Sequence, residues 1–315
     1  MLFIFSNGRN FVTPTPLAYL TEKTSMNNPL TASYSESDDL VLIERTQNGD
    51  LTALDALVRR HQPFIYNVAW KMVHDPNDAW DLTQEVLVIV ITKLGQFQGK
   101  SSFRTWLYRI VFNEFLRGKR RSSEAQFSSF EEYGERLEAV PSAELTIQEE
   151  IEQAELSKEM QIRCMSGMLM CLTREQRLIY IIGDSFGIDH KLGAEIFGLS
   201  PANFRVKLHR ARKELYNYMN DKCGLVNSDN PCRCPKKAKT LKQMGVLDEQ
   251  KMEFNVGHRH RIAEYVEANY AEAGELFAAK ITELYRNHPA RADFGRDTLI
   301  KEVLENEDLI GYFNR

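Results

Sequence analysis

Apolar residues recur along this chain with the period of an α-helix and nowhere alternate convincingly as in a strand, so the pattern predicts an all-α protein. Asp38 or Asp39 suits the N-cap of a first helix running through about Asn48, with Gly49 as its stop. Leu54, Leu57, Val58, Ile65, Val68, Ala69 and Met72 mark a long second helix that ends before Asp75-Pro76. A third is expected over 77–94, with Leu82, Val86 and Ile89 on one face and Asp78, Asp81 and Glu85 on another. A fourth covers 101–120. Helices resume over 147–171, 174–184, 191–197 and 201–220, and the pattern returns over 260–286 and 296–313. Residues 122–148 carry Ser and Glu with weak periodicity and read as a linker, 223–235 read as turn-rich, and 1–37 read as disordered. The chain thus divides into helical units at 38–121 and 149–222, a linker between them, and an extension at 223–315.

Composition first points away from nucleic acid. The 315 residues carry a formal net charge of −4. Resolved by segment, the picture reverses. Residues 100–121 hold seven Lys or Arg against Glu114, and 201–222 hold six against Glu214 and Asp221. Between them, 122–160 hold eleven acids against Arg136 and Lys158, and a further basic run follows at Arg233, Lys236, Lys237, Lys239 and Lys242. Two basic modules joined by an acidic spacer are expected to bind a polyanion. No apolar run approaches the roughly 20 residues of a membrane helix, so no membrane insertion is expected. The N-terminus lacks the features of a secretory signal. Five cysteines, an odd number, fit a reducing cytoplasm better than a disulfide scaffold.

The second basic block has the layout of a helix-turn-helix. Lys191 to Phe197 forms a short helix, Gly198-Leu199-Ser200 a tight turn, and Pro201 takes the first position of the next helix behind Ser200 as N-cap. Phe204, Leu208, Ala211 and Leu215 face the core. Ala202, Asn203, Val206, His209 and Arg210 face away, flanked by Arg205, Lys207, Arg212 and Lys213. Asn203 suits adenine, Arg210 guanine and Val206 a thymine methyl, with cations beside them for phosphates. The plainer alternative is a helical hairpin with a basic surface.

In the first basic helix, Phe103, Trp106, Leu107 and Ile110 form a core stripe. Tyr108, Phe112 and Phe115 fall on the far side among Arg104, Arg109 and Lys119. Exposed aromatics among cations suit unpaired bases, which stack at about 1–3 kcal/mol each. A helix buried on two sides fits the pattern equally.

Cysteines mark the extension. Cys232-Arg-Cys234 is a C-x-C pair, Cys223 lies nine residues earlier, and His258-Arg-His260 follows. Three thiols and imidazoles suit zinc, a softer ion such as Cu(I), or a redox pair, and reduced unliganded thiols fit as well. Cys164 and Cys171 read as core thiols.

Two blocks carry a family resemblance. Asp78-Ala-Trp-Asp-Leu-Thr-Gln-Glu85 with Phe103-Arg-Thr-Trp-Leu-Tyr-Arg-Ile110 and Asn113 resembles domain 2 of bacterial sigma factors. Leu172-Thr-Arg-Glu-Gln-Arg177 through Leu208-His-Arg-Ala-Arg212 resembles their domain 4. The two-domain plan is similar to the extracytoplasmic-function group of the sigma-70 family. The resemblance implies a non-catalytic subunit that gives core RNA polymerase its promoter specificity and helps open promoter DNA. It implies polymerase docking at Asp78, Asp81, Gln84 and Glu85, with Trp80 standing where the family usually carries an acid. It implies −10 element contacts in the loop Gln96, Phe97, Gln98, Lys100 and Ser102 and on Arg104, Tyr108, Arg109 and Phe112. It implies −35 contacts at Ser200, Ala202, Asn203, Arg205, Val206, Lys207, His209, Arg210 and Arg212. An anti-sigma factor, or the chain's own extension, is the implied regulator. The rival is a one-component transcription regulator with a metal- or redox-sensing C-terminal domain, which leaves the acidic face at 78–85 unexplained.

Overall fold

The computed structural model describes residues 29–31, 34–121, 124 and 129–248. Among these there is no strand, and the all-α expectation holds. The helices are α1 (Ser37–Gln47), α2 (Leu51–Val73), α3 (Pro76–Lys93), α4 (Phe103–Arg117), α5 (Phe130–Ala139), α6 (Ile147–Glu152), α7 (Ala154–Cys171), α8 (Arg174–Tyr180), α9 (His190–Phe197), α10 (Pro201–Lys222) and α11 (Cys234–Gln243). Side chains set most of the starts. Asp50 accepts from the N–H groups of Thr52 and Ala53 at α2, and Asp75 from those of Asn77 and Asp78 at α3. Thr173 and Gln176 close a capping box at α8.

Four local expectations are corrected. α1 begins at Ser37 without a side-chain cap. Asp39 instead turns inward, is fully buried, and meets Arg60 at 2.7 Å, His61 at 3.1 Å and the Tyr34 hydroxyl. Burial works against its charge, but the bonds from His61, Tyr34 and Arg60 outweigh burial and hold its carboxyl below the ordinary range. Secondly, the described part of 1–37 is packed, with Leu30 in the core and the Thr31 carbonyl accepting from Arg104 at 2.9 Å. Thirdly, the linker contains a helix, α5. Ser129 caps it, and Tyr133 seats its ring where Gly167 of α7 leaves room, since a Cβ there would lie 2.5 Å from the ring. Fourthly, the helix expected over 147–171 breaks at Gln153 into α6 and α7.

Both helical units contribute to one continuous core. α2 packs against α1 and α3 on one side and against α7 and α8 on the other. Arg177 of α8 sits at that junction and is 0 % exposed. Its guanidinium donates to the carbonyls of Leu169 (3.0 Å), Met170 (3.1 Å) and Leu172 (3.2 Å), to the carbonyl of Met72 on α2, and to the Glu124 carboxylate (3.1 Å). Three of those carbonyls lie in or just after the last turn of α7, where backbone donors run short, although Leu169 also accepts from the Leu172 N–H at 3.2 Å. Glu124, also fully buried, forms an ion pair with Arg174 at 3.1 Å as well.

Arg177→Ala strips the donors from this cluster and leaves Glu124 with a weakened partner set. A loss of about 3–5 kcal/mol in chemical denaturation is expected. A change below roughly 1 kcal/mol would show that water or Arg174 replaces it.

Candidate nucleic-acid interface

The acidic face of α3 forms as its spacing requires. Asp81 and Glu85 are exposed, while Asp78 and Gln84 are half-buried. Arg121 reaches back to pair with Glu85. Trp80 lies half-buried against the core, which takes the aromatic ring out of that face.

The loop between α3 and α4 opens with a 3₁₀ turn at Leu94–Gln96. Gln96, Gln98, Lys100 and Ser102 are exposed, and Gly99 adopts φ +67°, the left-handed conformation that favours glycine. Phe97 is anchored inward, its ring 5.3 Å from Phe103 and 5.5 Å from Trp106 between centroids. Ser102 also caps α4 through the Thr105 N–H. The loop is therefore a polar rim built on an aromatic floor.

Of the two readings that the α4 pattern allows, the structure shows the helix buried on two sides and not the exposed aromatic stripe. Tyr108, Phe112 and Phe115 are all buried. The Tyr108 hydroxyl lies 3.0 Å from His61 Nδ1, and its ring packs edge-on to Phe64. Phe112 stacks on Phe197 of α9 with centroids 5.4 Å apart. The physical reason is that α4 has neighbours on two sides, α3 and α9. Its cations are engaged as well. Arg104 donates to the Thr31 carbonyl, its backbone N–H donates to Glu36 at 3.0 Å, and Arg109 donates to the Glu195 carbonyl at 2.9 Å.

The helix-turn-helix is built by α9, a turn and α10. Gly198 adopts φ +66° to end α9, and Ser200 caps α10 through the Asn203 N–H at 3.2 Å. Phe204, Leu208, Ala211 and Leu215 are buried. Close packing needs Gly193, where a Cβ would meet the Phe204 ring at 2.7 Å. Ser200, Ala202, Asn203, Arg205, Val206, His209 and Arg210 are all exposed, with Val206 at 46 % despite being apolar. Lys207 pairs with Glu175 at 2.8 Å. Arg212 pairs in bidentate fashion with Asp184, which is 0 % exposed and lies in the π-helical turn Ile181–Ser185. Arg212 thus ties α10 to the turn behind it, a structural task that its place in a basic run conceals.

The thiols of the extension gather, with one addition. Cys223 and Cys232 face each other across an isolated parallel backbone bridge, and Cys234 is buried at the start of α11. Cys164 of α7, read as a plain core thiol, interacts electrostatically with Cys223, Cys232 and Cys234. Burial raises all of these thiols, Cys164 and Cys171 to about 12. Among the described residues, no three His, Cys, Asp or Glu side chains are placed to hold a metal ion. His258 and His260 lie outside the described residues. Among the described residues, no helix is long and apolar enough to cross a membrane.

Part of this chain is similar to known proteins. Residues 57–124, which hold the acidic face, the loop and α4, match the family model "Sigma-70 region 2". The RNA polymerase sigma-H factor of Pseudomonas aeruginosa is 42% identical over 79 residues, covering 25% of this chain and 41% of that protein. The ECF RNA polymerase sigma factor SigE of Mycolicibacterium smegmatis is 28% identical over 174 residues, covering 54% of this chain and 64% of its own length. The ECF RNA polymerase sigma-E factor of Escherichia coli (strain K12) is 27% identical over 188 residues, covering 57% and 93%. The chain thus spans less than two thirds of the first two of these relatives and nearly all of the third.

Two outcomes follow from the geometry. Arg212→Ala removes the bidentate partner of buried Asp184 and should lower stability by about 1–3 kcal/mol in thermal or chemical melts, while Arg210→Ala leaves stability unchanged. Equal melting of both variants would show that Arg212 is a surface cation only. For the cysteines, the folded state keeps protons that the unfolded chain loses above about pH 9. Thiol burial therefore contributes stability below that pH and loses it as pH rises toward about 12. Iodoacetamide at pH 8 should label Cys164 and Cys171 far more slowly in the native protein than in denaturant. Equal rates would contradict the burial.

Proposed function

We propose, from the premise that this chain belongs to the extracytoplasmic-function group of the sigma-70 family, that it acts as a sigma factor directing core RNA polymerase to specific promoters and assisting their melting. It works with polymerase in the bacterial cytoplasm and carries out no chemistry of its own. The observation that carries this reading is the pairing, in one chain, of a region 2 match with a capped, outward-facing α10. Asp78, Asp81, Gln84 and Glu85 are the surface offered to polymerase. Gln96, Gln98, Lys100 and Ser102 line the rim that receives an extruded base of the −10 element. Extrusion costs a few kcal/mol, which a polar pocket over the Phe97–Phe103–Trp106 floor can offset.

Asn203, Val206 and Arg210 are the base readers for the −35 element, with Ser200, Ala202, Arg205 and His209 beside them and Lys207 on the phosphate side. Phe112 joins base stacking only after α9 moves off α4, and Tyr108 only after it leaves His61 and Phe64 of α2, because their rings are covered in the packed state. Arg104 and Arg109 likewise exchange an internal carbonyl for phosphate. Thiolates suit zinc or a softer ion, but in this arrangement Cys223, Cys232 and Cys234 are not placed to hold one, so a metal role for them requires the three thiols to move together and to lose tightly held protons.

Transcription in vitro with core polymerase should start at defined sites only when this protein is present. Failure to stimulate initiation, with tight operator binding by the protein alone, would favour the one-component regulator. Arg210→Ala should cost about 1–3 kcal/mol of −35 sequence discrimination in a binding assay. A uniform loss on all sequences would remove Arg210 from the readers. Metal analysis of the purified protein and of Cys232→Ser/Cys234→Ser tests the donor set. Stoichiometric metal in the first and not the second supports it, and metal in neither overturns it.

A further inference from the structure

The end of α5, the last turns of α10 and the start of α11 enclose a cleft of about 440 Å³, within the roughly 300–1,000 Å³ of small-molecule sites. Leu137, Val140, Pro141 and Pro231, with the ring of Tyr218, give it an apolar wall. Local chemistry builds that wall. α5 stops at Ala139, Val140 is extended, and Pro141 cannot continue a helix. The Tyr218 ring is held by Phe130 and Tyr133 of α5, with centroids 5.2 and 6.0 Å apart. Pro231 is fixed by its neighbour Cys232, whose backbone bridges to Cys223 at the end of α10.

One polar group in this wall lacks its natural counterpart. Lys237 of α11 is 6 % exposed and lines the cleft. Its Nζ donates to the carbonyls of Leu137 (2.9 Å) and Val140, which the end of α5 leaves without helical donors. An ammonium carries three N–H donors, so one remains. The neighbouring lysines each have a carboxylate: Lys222 pairs with Glu138, Lys236 with Glu144 at 3.6 Å, and Lys239 with Glu149 at 2.6 Å. Lys237 has none among the described residues. A buried cation held only by neutral carbonyls still lacks a counter-charge. The Tyr218 hydroxyl, also buried, has no hydrogen-bond partner among the described residues.

Two acids line the same cleft, Glu138 and Asp221. Glu138 is taken by Lys222, and Asp221 is exposed at the end of α10, where water and salt screen it. The charge felt inside is that of Lys237, which reaches Cys232 on the opposite wall and favours its thiolate against burial.

We propose that this cleft binds a small amphipathic carboxylate, its head group on the remaining donor of Lys237 and its hydrocarbon body against Leu137, Val140, Pro141 and Pro231. An inorganic anion would match the ammonium and leave the apolar wall wet. An uncharged hydrocarbon would cover the wall and leave the ammonium without a counter-charge. A carboxylate on a hydrocarbon body does both, through a charge-assisted hydrogen bond and apolar burial. The site stands apart from the sigma-factor reading, and its test uses neither polymerase nor DNA.

Decanoate is the probe, with decanol and inorganic phosphate as its uncharged and purely anionic halves, on the full chain. Calorimetry reads affinity, and iodoacetamide labelling of Cys232, followed by mass spectrometry, reads location. Decanoate should bind once per chain and slow Cys232 labelling severalfold, leaving Cys171 unchanged. Lys237→Met keeps the stem and removes the charge. It should weaken decanoate about tenfold or more and decanol less than about twofold. No decanoate binding, or binding that leaves Cys232 labelling unchanged, overturns the site. Decanol binding as tightly as decanoate, or phosphate protecting Cys232 as well as decanoate does, overturns the ligand class. Should Lys237→Met melt early, because two carbonyls lose their donor, protection of Cys232 in the unaltered chain by decanoate against decanol decides the matter.

Discussion

The buried guanidinium of Arg177 is the constraint on which the rest of this structure depends. A charged side chain is costly to bury unless its donors are matched, and here carbonyls from the C-terminal end of α7 and from α2, with the Glu124 carboxylate, match them. Those acceptors come from elements far apart in sequence. Satisfying one side chain therefore fixes the end of α2, the start of the linker and the α7–α8 corner relative to each other. The continuous core across both helical units follows from that fixation.

A recurring theme is that cations suited to DNA are engaged inside the protein. Arg104 holds the N-terminal segment, Arg109 holds α9, Lys207 holds α8, and Arg212 holds the buried Asp184. Each internal bond to a carbonyl or carboxylate is one that a phosphate can replace, except at Arg212, where taking the bidentate guanidinium from the buried Asp184 carboxylate would be expensive. The closed arrangement and DNA binding thus compete for the same donors.

Much of this was legible in the sequence. Helical periodicity placed α2, α3, α4, α9 and α10 within a few residues, and Gly198-Leu199-Ser200-Pro201 announced the turn and cap that the structure shows. The exposed readers of α10 followed from the spacing of Phe204, Leu208, Ala211 and Leu215. What was not legible depends on long-range partners. Periodicity cannot tell a helix exposed on one side from one covered on both, so the burial of Tyr108 against His61 and Phe64 of α2, and of Phe112 against Phe197 of α9, came from other elements and not from α4 itself. Arg177 and Arg212 looked like members of polar or basic runs because their partners, Glu124 with the α7 carbonyls and Asp184, lie elsewhere in the chain. α5 was hidden by weak periodicity, since its buried contact rests on Tyr133 and a complementary glycine, Gly167.

On the proposed sigma-factor reading, α4 and α10 are held together in the isolated protein and part when polymerase is bound. Distance measurement between spin labels at exposed Asn113 and Asn217, introduced without using cysteine, tests it most directly. The account predicts one short distance distribution for the protein alone and a shift of tens of ångströms upward on addition of core polymerase. An unchanged short distance in a transcription-competent complex would contradict it.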